Sequence, residues 1–275
     1  MPTMLIFGLG YAAKALAARL RDLGWSVCAT GRDGDLDFAD AESVTARLGQ
    51  ATHVLSSVPP GEGDPVLARY GDGLAGKWLG YLSSTGVYGD TAGAWVDESA
   101  PTGGGRRTAR SEADAAWLAR GARVFRLPGI YGPGRSPLDR VLAGAAQRID
   151  APKQVFSRVH VDDIARGVVA ALDASPGAYN LADDLPAGQN AVIEEACRLL
   201  GREPPPLLPL EQADLSPATR AFYAESRRVA NGKAKRLLGW RPAYPTFREG
   251  LRALSAITSP ASATTDPANA SAPQR

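Results

Sequence analysis

The chain has 275 residues, a length that suits one large globular domain or two small ones. Its 31 basic and 29 acidic residues leave a net charge of +2 with no dense block of lysine or arginine, which argues against a nucleic-acid partner. No uncharged apolar run is long enough to span a membrane, and the amino terminus does not resemble a signal peptide. With only two cysteines and two histidines, neither a disulfide framework nor a zinc site is expected, so we predict a reduced, cytoplasmic protein without a metal.

Short apolar runs alternate with amphipathic stretches along the first half of the chain. The apolar runs predict strands over residues 4–7, 26–29, 53–58, 78–83 and 123–127. Helical spacing predicts helices from Tyr11 to about Leu23, over 66–70 and over 109–120. Strands separated by helices indicate βαβ crossovers, and hence a doubly wound α/β fold with a parallel sheet that helices cover on both faces.

The second half of the chain is richer in helical patterns. These predict helices over residues 138–146, 164–172, 191–200 and 247–257, with one short strand over 178–181. From about residue 258 to 275 the sequence contains Ala, Ser, Thr, Pro and Asn without apolar periodicity, which predicts a disordered tail.

A glycine-rich turn joins the first strand to the first helix. It reads Gly8-Leu9-Gly10-Tyr11-Ala12-Ala13, the pattern G-x-G-x-x-A. In a dinucleotide-binding turn the first glycine permits the tight bend, the second lets a pyrophosphate approach the backbone, and the small third residue lets helix and strand pack closely. The alternative is a tight turn without a ligand. We predict a Rossmann domain over residues 1–257, with a cofactor part in about 1–135 and a small C-terminal α/β substrate subdomain mainly in 136–257.

The end of the second strand bears on the choice of cofactor. An NAD site usually places a carboxylate there to bind the ribose 2′-hydroxyl, whereas Thr30 and Arg32 suit a 2′-phosphate. Asp33 follows directly and weakens this preference, and a solvated loop arginine is the alternative. We therefore predict NADP in preference to NAD.

Four later segments, taken together with the glycine turn, match the sequence pattern of a known family. The segments are residues 81–90, Asp97-Glu98 with Pro101, residues 126–134, and residues 160–165. Over about residues 3–255 the chain resembles the extended short-chain dehydrogenase/reductases, the group that contains NAD-dependent epimerases and dehydratases. The resemblance implies that further cofactor contacts come from Ser56, Ser57, Pro59, Ser83 and Pro128.

The sequence departs from this family where its catalytic Tyr-x-x-x-Lys motif would lie. By spacing, Arg106 occupies the tyrosine position and Arg110 the lysine position. Arg106 cannot accept a proton at neutral pH because arginine stays protonated. Arg110 can still hold a ribose or an anion. The usual catalytic pair is missing, as in atypical members of the superfamily.

Three hydroxyl groups are candidates for the chemistry that remains. Ser84 matches the family's serine at the end of the fourth long strand, where it would donate a hydrogen bond to a substrate carbonyl, although turn capping is the alternative. Tyr88 is a candidate substitute acid. Tyr131 lies in the segment that borders the nicotinamide in the family, with a buried structural role equally open.

Other polar residues near this region have less specific interpretations. His160 is predicted to be structural, and Asp163 to cap the helix that begins near Ile164. Arg126 and Arg158, if they face the cleft, would favour an anionic substrate.

Two hypotheses follow. The first is an NADP-dependent oxidoreductase or epimerase-like enzyme that acts on a nucleotide sugar or a small carbonyl compound, and we favour it. The second is a protein that binds NADP as a sensor without turnover. An open cleft with polar walls would favour the enzyme, whereas a cleft filled by side chains would favour the sensor. The resemblance also allows a homodimer.

Overall fold

Six parallel strands form the centre of the protein in the computed structural model, which describes residues 1–105, 108–213, 215, 220 and 223–258. The strands of this sheet are β1 (Thr3–Phe7), β2 (Ser26–Ala29), β3 (His53–Ser56), β4 (Trp78–Ser84), β6 (Arg123–Leu127) and β10 (Gly177–Asn180). Their spatial order is β10-β6-β4-β3-β1-β2. Leu5 of β1 is paired with Cys28 of β2 on one side and with Val54 of β3 on the other, so the strand order reverses beside β1. The predicted doubly wound parallel sheet is confirmed.

Helices cover both faces of the sheet. The first face carries α1 (Tyr11–Asp22) and α6 (Val161–Ala170), and the second carries α2 (Ala41–Gln50), α3 (Pro65–Tyr70) and α4 (Thr108–Ala119). Helix α1 forms because its small and apolar residues recur on one face, where Leu16 and Leu20 are fully buried. On the second face the largest buried side chain is Trp117, whose indole N–H donates to Asp64 Oδ2 at 2.8 Å.

A smaller cluster of elements packs beside the carboxyl end of the sheet. Its helices are α5 (Pro137–Leu142), α7 (Gln189–Leu199) and α9 (Phe247–Thr258), which share an apolar core, and α8 (Gly232–Leu237) lies against β10. Its short strands are paired in three two-stranded sheets: β5 (Trp95–Val96) with β12 (Arg228–Val229), β7 (Gly129–Tyr131) with β9 (Arg158–His160), and β8 (Arg148–Asp150) with β11 (Leu207–Pro209). The division near residue 135 stays a prediction, because α6 and β10 return to the main sheet.

One predicted helix has different bounds in the structure, and one helix of the structure was not predicted. The predicted helix over 138–146 is α5, which begins at a capping box formed by Ser136 and Asp139 and ends at Leu142. Helix α2 has no counterpart among the predicted helices. No helix of the described residues is long and apolar enough to cross a membrane. The predicted tail lies outside the described residues, apart from the end of α9.

Candidate functional site

The main cleft lies at the carboxyl edge of the sheet, where the strand order reverses. It has a volume of about 470 Å³ and opens to solvent. Residues at or after the ends of β1, β3, β4 and β6 line it together with Arg110 of α4. They include Gly10, Tyr11, Ala12, Ala13, Ser57, Ser83, Ser84 and Pro128. Open parallel sheets bind their ligands at this position, because the loops on either side diverge there.

Hydrogen bonds from two neighbouring strands hold the glycine turn. Gly8 has a φ of +84°, and its N–H donates to Thr30 Oγ1 at 3.1 Å. The Ser57 hydroxyl donates to the carbonyl oxygen of Gly8. Thr30 is only 1% exposed, so it lies behind the turn and supports it. Its hydroxyl therefore has no access to a 2′-phosphate, contrary to the expectation from the sequence.

Gly10 indicates that the cleft has space for a ligand beside the turn. Its φ of −79° is one that any residue adopts, and a Cβ atom built on it meets no protein atom within 4 Å. Neither backbone conformation nor packing therefore requires glycine here. Gly10 is the N-cap residue of α1 and supplies no side-chain cap, so the leading N–H groups of the helix stay available to an anion. These features fit a dinucleotide pyrophosphate.

The loop after β2 carries charges that bear on NADP and NAD. Arg32 is exposed. Asp33, the carboxylate that would favour NAD, forms an ion pair with Lys14 of α1 at 2.5 Å, and this contact lowers the pKa of Asp33. The carboxylate of Asp33 therefore already has a cationic partner, whereas Arg32 in the same loop is exposed.

Ser84 and Arg110 meet at the same cleft from different elements. Ser84 Oγ accepts a hydrogen bond from the N–H of Gly86 at 3.1 Å, which caps a short 3-10 turn over Thr85–Tyr88. Within the part of the chain that the structure describes, no acceptor takes the hydroxyl proton of Ser84, so turn capping and a substrate contact are compatible. Arg110 projects from the first turn of α4, and its guanidinium donates to the Tyr81 hydroxyl at 2.7 Å. Burial raises the pKa of Tyr81 to about 12, so Tyr81 is a neutral acceptor that orients Arg110.

Tyr88 belongs to a buried polar network, which we call the floor network, beneath the cleft. Arg126 donates to Asp114 through two nitrogens at 2.8 and 3.1 Å, and through a third to the Tyr88 hydroxyl at 3.0 Å. The Tyr88 hydroxyl donates in turn to Asn180 Oδ1 at 2.8 Å, and Ser83 donates to Asp114 at 2.6 Å. Burial raises the pKa of Tyr88.

The floor network changes two expectations. The Tyr88 side chain does not line the cleft, and its hydroxyl is committed to Asn180, so its position disfavours the role of substitute acid. Arg126 is 3% exposed and bound to Asp114, so the expectation that it faces the cleft was wrong.

Tyr131 is also buried, with 5% of its surface exposed. Its hydroxyl lies against Gly250 of α9 and has no hydrogen-bond partner among the described residues. Its ring meets the His160 ring edge-on, with centroids 5.2 Å apart. Burial raises the pKa of Tyr131, which further disfavours a proton-transfer role. This geometry favours the structural alternative for Tyr131.

His160 caps the helix α6, the role that the sequence predicted for Asp163. The N-cap of α6 is His160, whose Nδ1 accepts from the N–H of Asp162 at 3.2 Å. The carboxylate of Asp163 instead accepts from the N–H groups of Ala243 and Tyr244, at 2.6 and 3.0 Å. The expectation that Asp163 caps this helix was therefore wrong, because the helix begins earlier, at Val161.

The remaining predicted residues are divided between the cleft and its surroundings. Ser57, Ser83 and Pro128 line the cleft, whereas Ser56 is fully buried and Pro59 is exposed beside it. Arg106, at the tyrosine position of the family motif, lies outside the described residues.

Sequence reasoning missed two arginines that line the cleft, Arg135 and Arg227. Arg135 lies over the Tyr11 ring, 5.6 Å from its centroid, and the Tyr11 hydroxyl donates to the carbonyl of Pro133 at 3.0 Å. The available signal was the position of Arg135 directly after Gly132-Pro133-Gly134. Arg227 is distant in sequence and gives no such signal.

Comparisons with known proteins agree with this geometry. No protein-family model matches the chain. A functionally unknown conserved protein from Silicibacter pomeroyi has a similar structure, with a TM-score of 0.83 and 41% identity over 94% of this chain and 99% of that one. A human epimerase family protein, SDR39U1, solved with NADPH, gives a TM-score of 0.74 at 19% identity over 92% of this chain and 99% of that one.

A curated relative matches only part of the chain. The 3-diazoavenalumate denitrifying reductase of a Streptomyces species is 34% identical over 140 residues, and the match covers 46% of this chain and 45% of that protein. The chain thus spans about half the length of this relative.

The parallel sheet, the glycine turn and the cleft at the strand reversal define a Rossmann protein with the fold of the extended short-chain dehydrogenase/reductases, the epimerase/dehydratase-like group. Within this class the chain belongs to the same family as the Silicibacter pomeroyi protein.

Proposed function

We propose that the chain is an oxidoreductase that binds a nicotinamide dinucleotide, NADPH in preference to NADH, and reduces or oxidises a small carbonyl or hydroxyl compound. The observation that carries the proposal is the empty space beside Gly10. A Cβ atom at this position would meet no protein atom, and neither the backbone conformation nor packing requires glycine here. The cleft that this turn lines is open, and polar groups form part of its wall. An open cleft with polar walls favours an enzyme over a sensor, whose cleft would be filled by side chains.

The residues of the cleft suggest how it acts. A bound nicotinamide supplies or accepts hydride. Ser84 donates its free proton as a hydrogen bond to the substrate oxygen, which fixes the position of the carbonyl carbon. Arg110, oriented by Tyr81, binds the cofactor ribose or stabilises negative charge that develops on that oxygen. Since the hydroxyls of Tyr88 and Tyr131 face away from the cleft, water in the open cleft supplies the proton.

The comparisons support both parts of the proposal. The human neighbour was solved with NADPH, and a neighbouring UDP-glucose 4-epimerase from Thermus thermophilus with NAD, so a nicotinamide cofactor suits the fold. The Streptomyces relative is named a reductase. Arg32 and the Lys14–Asp33 pair support NADPH as the preferred form.

Calorimetric titration with NADPH and NADH tests cofactor binding. Gly10→Ala adds a methyl group where the pyrophosphate would lie, so we expect NADPH to bind at least about tenfold more weakly with unchanged thermal stability. Gly49→Ala is the matched control, because a Cβ at Gly49 of α2 also meets no atom within 4 Å, but Gly49 does not line the cleft. Arg32→Ala should remove the preference for NADPH and leave NADH binding unchanged.

Three outcomes would contradict the proposal. Failure of both cofactors to bind would leave the glycine turn as a fold remnant. Equal effects of Gly10→Ala and Gly49→Ala would show that the space beside Gly10 has no part in binding. Tight NADPH binding without NADPH consumption across a panel of aldehydes, ketones and conjugated acids would favour the sensor.

A further inference from the structure

A second cavity lies beside the main cleft. It has a volume of about 310 Å³, and Gly129, Ile130 and Arg135 border both spaces. A molecule held in the second cavity can therefore extend past Ile130 toward the main cleft. Most of the exposed wall of the cavity is apolar, and its apolar side chains include Phe156, Val192, Phe247 and Leu251.

A buried cation forms part of this wall. Arg158 is 7% exposed, and its guanidinium donates to the carbonyl oxygens of Phe156 and Ala187, at 3.1 and 2.9 Å, and to Gln189 Oε1 at 2.9 Å. All three acceptors are neutral. Among the described residues none places a carboxylate at ion-pair distance from Arg158.

The buried carboxyl group of Asp183 does not form an ion pair with Arg158. Asp183 is 2% exposed, and among the described residues its carboxyl oxygens make no side-chain hydrogen bond and no ion pair with Arg158. Burial raises the pKa of Asp183 to about 7, although the positive charge of Arg158 lowers it. Buried charges in proteins are normally paired, which makes Arg158 an unusual wall for an apolar cavity without an anionic ligand.

Two more arginines reinforce the positive potential of the cavity. Arg135 and Arg140 line it, against one carboxylate, that of Asp139. Asp139 Oδ2 already accepts hydrogen bonds from the backbone N–H and the hydroxyl of Ser136, because the two residues form the capping box of α5. The cavity therefore favours an anion.

The walls also restrict the rest of the ligand. A nucleotide sugar would turn many hydroxyl groups toward phenylalanine, leucine and valine side chains, and each hydroxyl without a partner costs binding energy. The volume lies at the lower end of the range for small-molecule sites, which suits one compact ring system. Phe156 and Phe247 are among the lining side chains, so an aromatic group in the cavity would pack against aromatic residues.

We infer that this cavity binds a compact aromatic carboxylate, with the carboxylate on Arg158, the ring between Phe156 and Phe247, and the far end directed past Ile130 toward Ser84. As the substrate of an NADPH-dependent reaction, this ligand depends on the function proposed above. Binding of the carboxylate itself does not.

Calorimetry of the full chain with cinnamate and cinnamamide tests the inference without any variant. The two probes share shape and apolar area and differ in charge, so we expect the carboxylate to bind at least about tenfold more tightly than the amide. Arg158→Gln should abolish this difference. Arg166→Gln removes the same charge from an exposed position of α6 away from the cavity and should preserve it.

Equal binding of the two probes, or binding of neither, would overturn the inference even if Arg158→Gln fails to fold. Tight binding of UDP-glucose with none of cinnamate would overturn it in favour of a nucleotide sugar. Cinnamate binding without NADPH binding would refute the proposed function and leave the cavity assignment intact. NADPH binding without cinnamate binding would overturn the cavity assignment and leave the proposed function intact.

Discussion

The Arg126–Asp114 ion pair is the part of the floor network with the largest predicted effect on stability. Both side chains are buried, and two nitrogens of Arg126 donate to the Asp114 carboxylate. Asp114→Ala leaves the guanidinium without its counter-ion and takes away the acceptor of the Ser83 hydroxyl. Removal of one member of a buried pair costs about 3–5 kcal/mol, because an uncompensated charge remains inside the protein. For a protein of this size that corresponds to a fall of roughly 6–20 °C in Tm.

Urea unfolding of wild type and variant measures this cost. Glu112→Ala is the matched control, because Glu112 is an exposed acidic residue of the same helix, and surface changes of this kind fall within about 0.5 kcal/mol. Asp114→Ala combined with Arg126→Met should recover part of the loss, since the uncompensated charge is then absent. A loss below about 1 kcal/mol for Asp114→Ala alone would refute the reasoning, because it would place the pair in the range of exposed ion pairs.

Two further predictions concern Asp183 and Gly132. Burial raises the pKa of Asp183 from 3.8 in the unfolded chain to about 7, so the folded protein holds a proton that the unfolded chain releases, and the free energy of unfolding falls as pH rises between these values. Asp183→Asn removes this pH dependence. The free energy of unfolding of the variant minus that of wild type, measured by urea unfolding, should therefore rise by up to about 4 kcal/mol from pH 4 to pH 8. A difference that stays constant with pH would contradict this prediction. Gly132→Ala places a Cβ 2.6 Å from the Tyr11 hydroxyl oxygen and 2.7 Å from Val161 Cγ1, so thermal unfolding should show a loss of about 1–3 kcal/mol. Unchanged stability would show that this contact is not tight.

The sequence was sufficient for the central sheet and for the glycine turn, because both depend on local patterns. Strands β1, β3 and β4 each contain a short apolar run, and the turn has its glycines at fixed spacing. Helix α2 was missed, because only Val44 and Leu48 of its ten residues are buried and two residues do not establish a period. Its cap, Asp40, was the remaining signal.

The floor network could not be predicted, because its members are distant in sequence and each has a more ordinary interpretation. Asp114 is read as an exposed helix charge and Arg126 as a cleft cation until α4 and β6 are placed side by side. Tyr88 was a reasonable acid on spacing alone, yet its hydroxyl is bound to Asn180 of β10, 92 positions later. Residues that act through pairs on separate elements require the tertiary structure.

The position of α9 has a consequence for synthesis of the protein. Phe247 and Leu251 of this helix supply part of the wall of the second cavity, and α9 packs on α5 and α7. A ribosome delivers the glycine turn and the first four strands of the main sheet long before it delivers α9, and chains begin to fold from the amino terminus during translation. The nascent chain can therefore assemble its dinucleotide turn early, but its second cavity gains this wall only when α9 emerges.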